Sequence, residues 1–373
     1  MALLTEPERV LIVNAGSSSL KLRVLLRDGH TQASTDLPPV AEPESQRGLR
    51  RFVNENSPVD AVGHRVVHGG PEFRESVIVT DTVLERLAGL SDLAPLHNPP
   101  ALAALEQTID LLPQVPQVAC FDTTFHATLP DRATTYAIPW EWTEGLGVRR
   151  YGFHGFSHRY AARRGAEILG RRMEELRMVT CHLGAGASLA AVAGGMAMDT
   201  TMGFTPLEGL VMATRSGSVD PGALLWIQRR TGHSTAQMEE TLERSSGLLG
   251  ISGVSADMRE VLQAADQNHH RAQLAVDVYL HRLRAGIAAM AAAISGIDVL
   301  VFTGGVGEQS SRIRSGACEG LAFLGVALDR NRNESVGGDR DLSSTDASVR
   351  TLLVHAREDL EIAAEVRQIL AGP

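Results

Sequence analysis

Lysine is almost absent from this chain. Lys21 is the single lysine among 35 basic residues in 373. It is not in the Gly-Lys-Ser/Thr run that a Walker A loop requires, so that route to phosphate binding is excluded. Cysteine is scarce too. Cys120, Cys181 and Cys318 are far apart, odd in number and show no CxxC spacing, which reads as buried free thiols in a reducing cytoplasm. Long apolar runs are missing. The longest, Ala285 to Ile297, is too short to span a bilayer and predicts a buried helix. The first residues carry acids and lack the apolar segment of a signal peptide. No membrane association is expected. Net positive charge is lacking as well: the formal net charge is −9 and the sequence pI about 5.8, which argues against a broad nucleic-acid footprint. The full GxGxxG, GxSxG and HExxH patterns are all absent, against a Rossmann dinucleotide site, an α/β-hydrolase and a zinc protease.

What remains is an ordinary globular composition, 43% hydrophobic and 21% charged. The length suggests two domains. Val10–Asn14 is an apolar run that ends in Asn-Ala-Gly-Ser-Ser-Ser and is followed by a second run, Leu20–Leu26. Two strands joined by a Gly/Ser turn predict a hairpin. Met178–His182, Leu-Gly-Ala-Gly-Ala-Ser and Leu189–Val192 repeat the design about half a chain later, a weak internal duplication with one hairpin opening each half. Between and after these hairpins, strand patterns at Asp60–Val67, Val115–Phe121, Asp298–Phe302 and Leu352–Val354 alternate with helical patterns at Thr82–Leu90, Pro100–Leu112, His158–Leu169, Gln273–Ser295 and Asp359–Ala371. The alternation indicates an α/β protein with mixed or parallel sheets. Ala33–Ser45, rich in Pro and Glu, reads as an exposed loop.

Three Gly/Ser turns follow apolar runs: Asn14–Ser19, Gly184–Ser188 and Gly304–Gly307. Glycine lets backbone N–H groups approach a phosphate, and three such turns favour a nucleotide site over plain hairpins. In Gly63-His64-Arg65-Val66-Val67, a strand puts Arg65 and Val67 on one face. A guanidinium beside a small apolar surface suits a carboxylate with a short alkyl tail. The commoner fate of such an arginine is a surface ion pair. Arg215 lies in a Gly/Ser loop. His97 precedes a proline pair, and His154 stands between Phe153 and Gly155. His154 and His158 are spaced as a helical metal pair, which Gly155 argues against. Asp122 follows a strand and Glu358 opens the last helix. Both are hard oxygen donors of the kind Mg²⁺ prefers.

Together the runs VLIVNAGSSSLKL, GHRVVHGG, APLHNPP, FDTTFHATLP, YGFHGFSHRY, HLGAGAS, TPLEGL, TRSGSVDPG, GISGVSADMR and FTGGVGE resemble the acetate kinase family of the actin/Hsp70/sugar-kinase superfamily, in family order along nearly the whole chain. The resemblance implies an α/β fold of two duplicated ribonuclease-H-like, actin-like ATPase domains with a cleft between them. These would be residues 1–150 plus 359–373, and residues 151–358, the latter carrying nucleotide binding and dimerisation. It implies reversible transfer of the ATP γ-phosphoryl group to acetate with Mg²⁺ or Mn²⁺, in a cytoplasmic homodimer. The implied catalytic set is Asn14, Arg65, Asp122, His154 and Arg215. Arg65, Val67, Leu96, His97, Phe153 and Pro206 would bind substrate. Ser17, Ser19, Lys21, His182, Gly184, Gly186, Asp257, Arg259, Gly304, Gly305, Val306 and Gly307 would bind the nucleotide, and Asn14, Asp122 and Glu358 the metal. The chain departs from the family pattern at Ala185, Ser218, Met258 and Gln309, which bears on the phosphoryl donor more than on the reaction type. Two rival readings stay open: a propionate or other short-chain acyl kinase, and a catalytically impaired nucleotide-binding regulator on the same scaffold.

Overall fold

A computed structural model describes residues 6–16, 19–94 and 97–372. The chain divides into two compact units. The first comprises residues 1–127, 153–160 and 357–373, and the second residues 128–152 and 161–356. These limits differ from the division expected at 150/151 and 358/359. Residues 128–152 pack with the second unit, where Arg150 is tied to Glu208. Residues 153–160 pack with the first, where the Gly155 amide donates to the Asp122 carbonyl at 3.0 Å.

The first unit holds strands β1 (Arg9–Ala15), β2 (Leu20–Leu26), β3 (Thr31–Leu37), β4 (Ala61–Val66), β5 (Val77–Ile78) and β6 (Gln117–Phe121), in the order β3-β2-β1-β4-β6-β5. The second holds β7 (Arg177–Leu183), β8 (Ala187–Ala193), β9 (Met196–Thr200), β10 (Val299–Thr303), β11 (Arg340–Asp341) and β12 (Arg350–Leu353), in the order β9-β8-β7-β10-β12-β11. The two orders are the same. In each, three antiparallel strands lead into three parallel ones, β1-β4-β6 and β7-β10-β12. The duplication inferred from two hairpins therefore runs through the whole of both sheets.

The central strands are apolar almost throughout because both faces are covered. Along β1, Leu11 and Val13 face a core that includes Leu49, Phe52 and Val53 of the helix Pro43–Asn56. Val10 and Ile12 face the opposite core, closed by Ile362, Ala363 and Val366 of the last helix, Glu358–Ala371. That helix lies so close to β4 that a Cβ at Gly63 would stand 2.7 Å from Val366 and 2.8 Å from Ile362. In the second unit the helix His270–Ala293 buries Ala272, Val276, Tyr279, Leu283, Ile287 and Met290 at helical spacing.

The segment Ala33–Ser45 is not a loop throughout. Its first part belongs to edge strand β3, whose residues alternate between half-buried and exposed, and Pro43 opens a helix. A strand with only one covered face needs few apolar residues, and proline at the first helical turn is a start signal. The long helix ends at Ala293 rather than running to Ser295. Cys120, Cys181 and Cys318 are buried free thiols, as expected. Among the described residues no helix is long and apolar enough to cross a membrane.

Candidate active site

Strands β1, β4 and β6 run parallel, so their carboxyl ends lie side by side. In open α/β sheets this edge is where ligands bind. Each end delivers one polar residue: Asn14 from β1, Arg65 from β4 and Asp122 just past β6. The start of the last helix adds Glu358. The four are hydrogen-bonded together. Arg65 grips Asp122 with both arms of its guanidinium, Nε donating to Oδ1 at 2.9 Å and Nη2 to Oδ2. Arg65 Nη1 donates to Asn14 Oδ1 at 3.1 Å, and Asn14 Nδ2 to Glu358 Oε2 at 3.5 Å. Arg65 Nε stands 3.9 Å from Glu358 Oε2.

The cluster is largely shielded from water: the Arg65 side chain is 14% exposed, Asp122 1% and Glu358 18%. Burial works against the Arg65 charge, but Asp122 and Glu358 more than offset it and hold the guanidinium above its ordinary range. Burial pushes the Asp122 carboxyl up to about 6, and the pull of Arg65 opposes that shift. One guanidinium with two carboxylates leaves an excess negative charge, carried by oxygen donors. That donor set fits a hard divalent cation such as Mg²⁺.

His154 is placed by backbone rather than by a helix. Its φ of 55° lies in the left-handed region, and the helix Gly155–Leu169 starts only after it, with the His154 carbonyl accepting from the His158 amide at 3.0 Å. The His154 amide supports the Asp122 carboxylate. A Cβ at Gly155 would meet the Asp122 carbonyl at 2.1 Å, which leaves glycine as the residue that fits. Val67 and Phe153 are buried, and the Phe153 ring meets His68 edge-on at 5.2 Å. Lys21 sits across from Asn14 in the β1–β2 ladder, and Ser19 closes the hairpin by accepting from the Gly16 amide at 2.8 Å. His97 precedes the helix Asn98–Leu111. Ser17 and Leu96 lie outside the described residues.

The second unit carries the other expected residues. Arg215 pairs with Glu243 at 2.8 Å and donates to the Pro206 carbonyl at 3.4 Å. His182 faces Ser188 across the β7–β8 ladder, above a turn closed by Gly184 N donating to Gly186 O at 2.9 Å. Asp257 caps the helix Met258–Asp266 and is paired with its own neighbour Arg259. The Gly304–Gly307 run opens a short helix, Gly304–Gln309, and its first amide is already engaged: Gly304 N donates to Glu308 Oε1 at 2.9 Å. Of the four departures, Ser218 is tied to Gly209 through both backbone and hydroxyl, the Ala185 carbonyl accepts from Ala213, Met258 is buried, and Gln309 ends the short helix.

Three further residues tie backbone segments together. Asn98 zips the backbone of His68 from both sides, its Oδ1 accepting and its Nδ2 donating at 3.1 Å. His126 Nε2 donates to the Phe153 carbonyl at 3.1 Å, beside His154. Glu308 accepts from Ala356 N as well as from Gly304 N, each at 2.9 Å, and so joins the segments leaving β10 and β12. Bonds from a side chain to backbone leave no pattern in the sequence to find them by.

Two sheets of one strand order with polar residues at the carboxyl ends of their parallel strands define a duplicated α/β protein of the actin-like ATPase class. Comparison with known proteins narrows this. The Acetokinase family model matches residues 45–364. An acetate kinase of Nostoc punctiforme is 52% identical over 87% of this chain and 80% of its own length. The crystal structure of Porphyromonas gingivalis acetate kinase superposes with a TM-score of 0.89 at 37% identity, covering 97% of this chain and all of that one. A propionate kinase from Francisella tularensis gives 0.89 at 34%, with the same coverage. The chain belongs to the acetokinase family.

Proposed function

We propose that the chain is an acetate kinase that moves the γ-phosphoryl group of ATP to acetate, reversibly, giving acetyl phosphate and ADP. Family membership supports the reaction. The Asn14–Arg65–Asp122–Glu358 cluster is the observation that supports the site. Carboxyl pKa values sit near ~4, so acetate is already anionic at neutral pH and needs no base. An acetate oxygen attacks the γ-phosphorus in line, the bond from that phosphorus to the bridging oxygen breaks, and ADP leaves. The barrier is repulsion between anions, together with alignment. Arg65 supplies positive charge in a site from which water is largely removed, where such a charge acts strongly. Asp122 fixes the plane of that guanidinium. His154, set by Gly155 and the Phe153 carbonyl, is assigned to donate to the phosphoryl oxygens, and Arg215 is the second guanidinium assigned to them. Glu358, Asn14 and Asp122 would hold Mg²⁺, which when bound neutralises phosphate charge.

Acetate and propionate differ by a methylene that an apolar pocket distinguishes by only ~1–3 kcal/mol. The likeness to the Francisella propionate kinase therefore keeps propionate as a second acceptor. Free thiols and an ATP substrate fit the cytoplasm. Leu225, Trp226 and Ile227 on the helix Pro221–Thr231 are exposed, apolar side chains suited to burial against a second copy in a homodimer.

The decisive experiment incubates the purified protein with Mg²⁺ and traps acyl phosphate with hydroxylamine. It pairs acetate, propionate and butyrate with ATP, GTP and pyrophosphate. Acetyl phosphate from acetate and ATP is expected. No acyl phosphate with any pair overturns the kinase reading.

A further inference from the structure

The strand-end cluster explains what faces the substrate, but not what keeps four segments of chain in register. About two helical turns beyond Glu358, the same helix carries Glu365, whose side chain is only 10% exposed. Its carboxylate collects donors from three other segments. Ser76, just before β5, donates its hydroxyl to Oε2. Arg159, on the helix Gly155–Leu169, donates from Nη1 to Oε1. Thr124 lies 3.5 Å from Oε1, its hydroxyl directed chiefly to the Phe121 carbonyl at 2.9 Å. Arg159 also lies over the Phe125 ring, 5.7 Å from its centroid.

Each of these segments leads directly into the site. Thr124 is two residues beyond Asp122. Arg159 follows His154 on the helix whose first amide bonds the Asp122 carbonyl at 3.0 Å. Glu365 shares its helix with Glu358. On the neighbouring turns Ile362 and Val366 press on Gly63, two residues before Arg65. We propose that Glu365, held by Arg159, is a positioning residue that locks the last helix to the end of β6 and to the start of the helix Gly155–Leu169, and so sets where Glu358, Asp122 and His154 stand relative to Arg65. Surface ion pairs contribute little. A carboxylate this buried is different: removing one of its partners leaves a polar group unsatisfied away from water and releases several segments together. A shift of ~1 Å in reacting groups lowers turnover by as much as ~10²-fold.

The inference rests on the cluster being the phosphoryl-transfer site, so the test includes Arg65→Ala as a reference. Glu365→Gln, Arg159→Met and Arg159→Lys are assayed for acetyl phosphate at a temperature where circular dichroism shows each to be folded. Glu365→Gln and Arg159→Met should lower kcat by ~10-fold or more, with KM for ATP and acetate within ~3-fold of the parent, and Arg159→Lys should recover most of the turnover. If Glu365→Gln does not fold, the two Arg159 variants decide the matter. A kcat within ~2-fold of the parent in the folded variants, with only a lower melting temperature, would give the pair a purely structural role and overturn the inference. Full turnover in Arg65→Ala would instead overturn the site reading beneath it. Inactive Arg65→Ala beside fully active Glu365 and Arg159 variants overturns the positioning role alone.

Discussion

The two units repeat one sheet, yet their matching strand ends carry different chemistry. In the ladders Asn14 pairs with Arg65 in the first unit, and His182 pairs with Thr303 in the second. One step earlier Val13 pairs with His64, and Cys181 with Phe302. The first copy thus places charges at its strand ends, linked to Asp122 and Glu358. The second places a hydroxyl and a glycine turn there, with Gly304 in the left-handed region at φ 78°. A fold can be copied whole because its apolar strands tolerate any residues that keep the faces covered. The polar ends of those strands are then free to diverge, and the two copies differ there: charged side chains in one, a hydroxyl and a glycine turn in the other.

The sharpest way to break this comparison is to make equivalent substitutions in the two copies. Arg65→Ala should reduce kcat/KM by ~10²-fold or more, at least ~3 kcal/mol of barrier by analogy with other preorganised donors. Thr303→Val, at the matching position, should leave turnover within ~3-fold, because the buried Thr303 hydroxyl has no hydrogen-bond partner and valine keeps its shape. Steady-state kinetics on both variants checks the pair, and similar losses in the two would end the claim that charge resides in the first copy. Next in size is Gly155→Ala. The added Cβ would stand 2.1 Å from the Asp122 carbonyl, so the backbone must shift under both His154 and Asp122. A fall of ~10²-fold in kcat is expected, and a crystal structure of the variant would show whether the Asp122–Arg65 fork has moved.

Much of this was legible beforehand, for identifiable reasons. Continuous apolar runs ending in Gly/Ser turns gave away the hairpins that open both sheets, since strands buried on both faces have few other readings. Arg65, Asp122 and Glu358 stood out as charges at strand and helix ends. Edge strand β3 and the helix Pro43–Asn56 were lost in a Pro- and Glu-rich stretch because an edge strand needs little apolar sequence. The interleaving of residues 128–152 and 153–160 between the units was also invisible. It depends on single long-range bonds, such as Arg150 to Glu208 and Gly155 to Asp122, and leaves no periodicity. Asn98, His126 and Glu308 bond to backbone in distant segments, and only coordinates show that.

Glu308 sharpens the comparison from the second copy. Its carboxylate is bonded to the amides of Gly304 and Ala356, so the glycine turn is shaped by a side chain of this unit. Glu308→Ala frees both amides. Hydrogen bonds to a charged group contribute ~1.5–3 kcal/mol each to stability. The expected result is a KM for ATP raised by ~10-fold, with KM for acetate changed by less than ~3-fold. Equal effects on both substrates would mean that the turn does not serve the nucleotide.

The smallest effect tests the buried layer beneath the strand ends. His64 is 1% exposed, where the second copy has Phe302. Burial lowers its pKa to about 4 despite the hydrogen bond to Gln117, while in the unfolded chain it titrates near 6.5. Between those values the unfolded chain binds a proton that the folded chain refuses, so stability falls as pH drops from about 6.5 to about 4. The full span amounts to about 3 kcal/mol. Asp122 works in the opposite sense: its raised pKa makes the folded chain the better proton binder between its ordinary value and about 6, and stability falls there as pH rises. The two slopes partly cancel in the parent protein. His64→Phe, which gives the first copy the residue of the second, removes only the histidine contribution. Urea unfolding across pH 4 to 7 should therefore show the parent losing stability toward acid relative to the variant, with the difference growing below pH 6.5. Parallel pH curves for the two proteins would mean that His64 accepts its proton in the fold as readily as in the open chain.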